Sequence, residues 1–374
     1  MHVGLNAQLL ALDSTYRGAG INTYIHQLLR ALERLDSPHR LTVFTAERRF
    51  RAGRLAVTYS AGATRRPWGR VVWEQLALPA IARRRGVDLL HAMAFVAPLL
   101  GAMPTVVTVY DLSFLRFPEA FRPFNRWYLS RFTPLTVRRA RRVITISEST
   151  RRDVVELLGV PPDRVDVVYC GCDPAFRPLP EAEVAHFRRD RELPERFMLY
   201  VGTLEPRKNV LGLLAAYARW REVGSDVMPL VLAGAPGWYY DAVFRRVEAL
   251  GLADAVRFVG FVAGEDLPLL YNAAAALVYP SLFEGFGLPV LEAMACGVPV
   301  ICSNAASLPE VAGEAGWLVD PGDEIGLAEA MRQVAGDVAL RREMVAKGLT
   351  RAAAFSWESA ARQTMQVYER ALDG

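Results

Sequence analysis

The run Glu284-Gly-Phe-Gly-Leu-Pro-Val-Leu-Glu292 sets two carboxylates eight positions apart around a glycine-rich turn. Gly285 and Gly287 let the backbone approach a ligand closely and offer N–H groups to it. Pro289 suits the first turn of a helix, whose N-terminus attracts anions, a diphosphate before others. Glu292, inside the helix, can accept hydrogen bonds from two adjacent hydroxyls such as a ribose offers. Glu284, ahead of the turn, would face a sugar. A lone glutamate pair reads as capping and surface residues; two glycines and a proline between them argue for a site.

A second run, Gly202-Thr-Leu-Glu-Pro-Arg207-Lys208-Asn209, follows a strand directly. Arginine and lysine side by side at a strand's C-terminal end can clamp a diphosphate and stabilise it as a leaving group. Lys208 and Lys347 are the only lysines among 44 basic residues, so a compact ammonium has been kept where arginine is otherwise used. Gly18-Ala-Gly20 could admit phosphates as well, although Thr23 breaks the full GxGxxG pattern. His91 ends a strand and reads equally as a cleft residue or a satisfied core histidine. Trp238-Tyr239-Tyr240 reads as helix packing before base stacking. Ser147 has no evident His/Asp partner and reads as a helix cap. No His/Asp/Glu set has metal-ligand spacing.

Strand and helix patterns must position these residues. In the first half His2–Gln8, 41–46, 87–91, 104–110, 142–146 and 165–169 read as short apolar strands between longer helical stretches such as 21–35. This predicts parallel strands joined by right-handed crossovers. Residues 171–180, with their three prolines, read as a linker. The rhythm restarts at 197–202 and continues through 229–234, 255–259, 275–279 and 299–302, with a last helix around 357–372. The expectation is an α/β chain of two Rossmann-like domains, 1–170 and 181–355, followed by a helical segment, 356–374.

Bulk properties narrow the function. A chain of 374 residues fits two domains of ordinary size. No apolar stretch approaches the ~20 residues that span a bilayer, and the start lacks the pattern of a signal peptide. Four cysteines without ligand or framework spacing read as reduced thiols, which points to the cytoplasm. Residues 1–180 hold 26 Arg, no Lys and 14 acidic residues, whereas 181–374 carry a surplus of eight negative charges. A basic half suggests an anionic partner: a membrane surface, a phosphorylated lipid or a nucleic acid. Solvated arginine-rich helix faces explain the charge equally well. The arginines Arg122, Arg126, Arg131, Arg138, Arg139, Arg141 and Arg142 would form the face in question.

At this point the sequence resembles a known family. GTLEPRKN (202–209), PSLFEGFGLPVLEAMACGVPVI (280–301) and SLPEVAGEAGWLVDP (307–321) look like the donor-binding half of family 4 retaining glycosyltransferases. VTVYDLSFLRFPE (107–119) with RRVITISES (141–149) is similar to the acceptor half. The resemblance implies a GT-B fold, two parallel sheets facing a central cleft, and no metal or other cofactor; 1–170 would be the acceptor side, 181–355 the nucleotide-sugar side, and the helix of 356–374 would cross back to pack on the first domain. It is strongest toward bacterial mannosyltransferases of cell-envelope polysaccharides. By motif, Arg207 and Lys208 would bind the donor diphosphate, with Gly18 and Gly20 completing its pocket. Glu284 and the amides of Phe286 and Gly287 would hold the sugar, Glu292 the ribose, with Leu288 and Pro289 near the phosphates, and Gly260, Phe261 and Val262 the base.

Two positions depart from the pattern. Tyr110-Asp111 stands where many members have His-Asp; tyrosine can donate a hydrogen bond but is a poor general base at neutral pH. Thr203 stands where many have a phosphate-binding arginine. The implied partners are a nucleotide-sugar donor such as GDP-mannose, a glycan or lipid-linked acceptor and an anionic membrane, with no nucleic acid. An epimerase or hydrolase on the same architecture, or a non-catalytic nucleotide-sugar scaffold, are the alternatives.

Overall fold

The computed structural model describes residues 1–12, 19–224, 227–235, 237 and 240–373. They form two compact units: Met1–Gly171 with Ser356–Gly374, and Cys172–Phe355. Residues 172–180, expected as a linker, group with the second unit.

The first unit is built on seven parallel strands: β1 (His2–Asn6), β2 (Arg40–Thr45), β3 (Ala56–Tyr59), β4 (Leu89–Ala92), β5 (Thr105–Val109), β6 (Arg142–Thr145) and β7 (Val165–Val167). Their order is β3-β2-β1-β4-β5-β6-β7, so the chain reverses direction across the sheet between β1 and β4. The second unit has six: β8 (Met198–Val201), β9 (Leu230–Ala233), β10 (Val256–Gly260), β11 (Ala276–Tyr279), β12 (Val300–Ser303) and β13 (Gly316–Val319). Their order is β10-β9-β8-β11-β12-β13, with the reversal between β8 and β11. Helices on both faces explain why the central strands read as unbroken apolar runs rather than alternating ones. Every residue of β1, β4, β5, β9, β11 and β12 is buried.

The edges were harder to read. β3 lies on one rim with all four residues only half-buried, and β13 on another rim is mostly half-exposed. A strand with one neighbour needs less apolar surface, so its signal is weaker. Neither was expected as a strand.

Helix ends follow the sequence. Ser147 caps Glu148–Leu158 by accepting the Thr150 N–H at 3.0 Å, and Gly159 closes it in the left-handed conformation. The final helix, Trp357–Asp373, packs on Ala19–Arg34 and on β5 and β6. A side chain at Gly171 would lie 2.0 Å from the Trp357 amide nitrogen, so only glycine lets the backbone pass there. Tyr24 meets Trp357 edge-on at 5.6 Å. The Tyr368 hydroxyl lies 2.7 Å from His91 Nδ1, and Arg370 joins Arg142 on Asp166 at 2.8 and 2.7 Å.

Candidate active site

Two adjacent strands carry the second unit's chemistry. β8 runs into the turn holding Arg207 and Lys208, and β11 into the turn holding Glu284. They are the neighbours at which strand order reverses, where an open parallel sheet leaves a crevice beyond its strand ends.

Glu284 is the hub. It is 7% exposed, and its Oε1 accepts from Lys208 Nζ at 2.6 Å, the Tyr279 hydroxyl at 3.0 Å and the Ser281 hydroxyl at 2.5 Å. Arg207 spans Glu284 Oε2 at 3.3 Å, Glu205 Oε1 at 2.8 Å and the Phe283 carbonyl at 2.8 Å. Lys208 also donates to the Tyr279 oxygen at 2.8 Å. Burial pushes the Glu284 carboxyl up, but Lys208 and Arg207 more than reverse this and hold it at about 2. Burial pulls Lys208 down, opposed by the Glu284 charge. The pair read as a free diphosphate clamp is therefore already engaged with two carboxylates. The four charges sum to zero, so an arriving diphosphate would share these cations with Glu284 and Glu205.

The turn after Glu284 is pinned from behind. Ser307 Oγ donates to the carbonyls of Glu284 and Phe286 at 2.9 and 2.8 Å. Gly287 has φ +107°, which disfavours a side chain, and a Cβ there would lie 2.5 Å from Leu308 Cδ2. It caps the helix Leu288–Ala295, with Pro289 in the first turn; Gly285 and Phe286 are buried, Leu288 and Pro289 half-exposed. Glu292, on the same helix, joins a separate partner: its Oε2 accepts from the Tyr271 hydroxyl at 2.9 Å. Burial raises its carboxyl, Tyr271 lowers it, and the Asp173 charge raises it again, to about 7.

Other expected positions are placed as follows. Gly260 ends β10 with φ +69°, and its carbonyl accepts the Gly234 N–H at 2.8 Å; Gly260 and Phe261 are exposed, Val262 half-buried. Thr203 is half-exposed, and its carbonyl accepts from the Tyr200 hydroxyl at 3.1 Å. Gly20 lies in the first turn of Ala19–Arg34, exposed. Gly18, Trp238 and Tyr239 lie outside the described residues.

In the first unit, Tyr110 does not present the donor expected of it. Its hydroxyl donates to the Met93 carbonyl at 2.5 Å, and its ring is packed edge-on by Tyr24 and Phe95. Burial pushes its phenol well above the ordinary range. Asp111 is half-buried and accepts from the Ser113 N–H at 2.8 Å and hydroxyl at 2.5 Å. His91 is fully buried between Tyr368 and Thr108, and burial lowers its imidazole to about 3. Of its two readings the structure gives the satisfied core histidine.

Tyr279, Ser281, Ser307 and Tyr271 were not singled out in the sequence. A polar Tyr-Pro-Ser at the end of an otherwise apolar strand, just ahead of Glu284, was the available signal. All four cysteines are free thiols, and no group of three or more His, Cys, Asp or Glu among the described residues could hold a metal.

Fold and site together define the class. The chain has the GT-B architecture, with a charged site at the switch point of its second sheet. Solved sucrose-phosphate synthase from Thermosynechococcus elongatus superposes on 99% of this chain and 98% of its own, with TM-score 0.76 and 25% identity. Residues 182–351 match the family described as glycosyl transferases group 1, and residues 18–176 glycosyltransferase family 4. The O-antigen chain mannosyltransferase B of Escherichia coli is 39% identical over 266 residues, 71% of this chain and 70% of that one. The serotype-specific mannosyltransferase WbdA of Escherichia coli is 34% identical over 253 residues, 67% of this chain. The match spans only 31% of WbdA's length. The chain belongs to the family 4 glycosyltransferases and is a glycosyltransferase.

Proposed function

We propose that the protein transfers a hexose from a nucleotide-sugar, GDP-mannose being the donor to test first, to a hydroxyl of a glycan or lipid-linked glycan. The product would enter a cell-envelope polysaccharide. Similarity to O-antigen mannosyltransferases supports mannose and this setting. The observation that carries the site assignment is the Glu284 hub, a buried carboxylate and two cations within one network at the switch point.

The bond from the sugar's anomeric carbon to the diphosphate oxygen breaks. A bond to the acceptor oxygen forms on the same face, and the acceptor's proton leaves with the nucleoside diphosphate. Arg207 and Lys208 stabilise the charge that builds on the leaving oxygen, the role a divalent cation would otherwise fill. Glu284 orients the sugar hydroxyls and Glu292 the ribose. Gly260, Phe261 and Val262 flank the base. Thr203, Gly285 and Phe286–Pro289 line the phosphates. Asp111 takes the acceptor-side role, since the Tyr110 hydroxyl is held by Met93. We place the enzyme in the cytoplasm, where the arginine surplus of its first half supports contact with an anionic membrane. No helix among the described residues is long and apolar enough to cross one.

The test is a thermal-shift panel of GDP, UDP, ADP and their sugars with chelator present, followed by transfer assays with the stabilising donor. One nucleotide raising the melting temperature saturably, then giving acceptor-dependent product, is the expected result. No response to any of them, or turnover of the donor unaffected by acceptor, would overturn the proposal.

A further inference from the structure

The first unit carries a surface that the transfer chemistry does not use. Helix Pro67–Val72 continues through a π-helical turn, Trp73–Ala77, into Leu78–Arg84. One side of it faces solvent through Trp68 (62% exposed), Val72 (55%) and Leu76 (60%). Alongside, helix Pro123–Arg139 exposes Trp127 (54%) and Leu135 (48%), eight positions apart with exposed Arg131 between them. The two stripes meet, because Phe124 lies 4.6 Å from Trp68 and 6.2 Å from Trp127 between ring centroids. The loop bearing exposed Leu100 ties them at the other end: Leu99 N–H donates to Gln75 at 2.9 Å, and the Gly101 carbonyl accepts from Arg139.

The charge on this face is predominantly positive, with exposed Glu119, which lines the groove beside Trp127, as the exception. Residues 120–147 contain seven arginines and no acidic residue, and residues 48–73 likewise contain seven and none. Glu74, the acidic residue on the first of these helices, is buried and donated to by Asn6 at 3.1 Å. An open groove of about 730 Å³ beside Trp127 is lined by Leu115, Phe121, Arg126 and Arg131.

Exposed apolar stripes rimmed by polar residues mark an interaction surface. A second copy of this chain fits poorly, since a two-fold contact would face arginines with arginines. A nucleic acid would satisfy the arginines but has no use for Val72, Leu76 and Leu135. An anionic bilayer satisfies both halves: tryptophan rings sit at the headgroup level, aliphatic side chains reach the acyl boundary, and arginines meet phosphates.

We propose that this face seats on an anionic bilayer, with Trp68, Val72, Leu76, Trp127 and Leu135 entering the headgroup–acyl boundary and Arg126 and Arg131 among lipid phosphates. This rests on the reading of an anionic membrane partner above and adds the surface and its apolar insertion. It requires none of the donor-binding residues, so failure of one reading is separable from failure of the other.

The experiment is sedimentation of the full chain with vesicles of equal parts phosphatidylcholine and phosphatidylglycerol, against phosphatidylcholine alone. The wild type is expected to bind the anionic vesicles and to have its tryptophan fluorescence quenched by brominated acyl chains. Trp68→Ser with Trp127→Ser should weaken binding about tenfold even at low salt, through lost insertion. Arg126→Ser with Arg131→Ser should weaken it on the order of thirtyfold, at roughly fivefold per arginine. Unchanged circular dichroism and nucleotide response certify that the variants fold; should they not, quenching of the wild type decides alone. No binding, no quenching, or tryptophan variants that bind like wild type would overturn the proposal. A concentration-dependent dimer abolished by the tryptophan changes would overturn it too, in favour of a second copy.

Discussion

The two units end their central strands in opposite ways. In the second, the turns after β8 and β11 bury Lys208 and Glu284 beside half-buried Arg207 and Glu205, and the four charges neutralise one another. In the first, the end of β4 carries His91 and Tyr110 follows β5 directly, and both are buried and neutral. Its surplus charge is carried on exposed arginines of the outer helices instead. Removing a charge from water is costly unless a partner compensates, so nearly complete burial of Lys208 and Glu284 marks a place kept for chemistry. The first unit's strand ends are built for packing, and its interactions with partners are left to its surface.

The sharpest break of this contrast is Lys208→Ala. Turnover should fall at least ~100-fold, as for loss of one preorganised charge-stabilising donor. Steady-state kinetics with folded protein near wild-type rates would remove the lysine from the mechanism. Glu284→Gln separates stability from binding. It leaves buried Lys208 and half-buried Arg207 under-compensated and should cost about 3 kcal/mol of unfolding free energy. The freed cations then favour phosphates, so GDP or UDP should raise the melting temperature more than in wild type. An equal or smaller rise would show that Arg207 and Lys208 do not reach the diphosphate.

Glu292 sharpens the comparison through pH. Its carboxyl sits at about 7 against 4.5 for the free group. The folded state therefore holds its proton more tightly, and this contribution to stability declines as pH rises from about 4.5 to 7. Ribose binding to the carboxylate should show the reverse trend, with donor affinity falling up to about tenfold per unit as pH drops below 7. Titration calorimetry across that range should find the dependence flattened in Glu292→Gln. A steep slope surviving in that variant would assign the titration elsewhere. The smallest effect belongs to the first unit. Tyr368→Phe removes one buried hydrogen bond to His91 and should cost about 1 kcal/mol in urea unfolding while leaving the nucleotide response untouched.

Much was legible because it is local. Apolar runs buried on both faces gave the central strands, Ser147 gave a helix start, and Gly287 and Pro289 gave a turn opening a helix. Short-range rules also put Arg207, Lys208 and Glu284 at strand ends. What the sequence by itself determined, then, was a repeated strand–turn–helix grammar and the residue types in each turn. Only the tertiary structure decided that β8 and β11 are neighbours, although 74 residues separate Val201 from Ala276. That adjacency turned two cations from a free clamp into partners of Glu284 and gave Tyr279 and Ser281 their roles, while the pairing of β4 with β5 in the first unit drew the Tyr110 hydroxyl onto Met93. Strand order fixes which side chains meet through space, and such meetings set charge and hydrogen bonding over distances that no local spacing encodes.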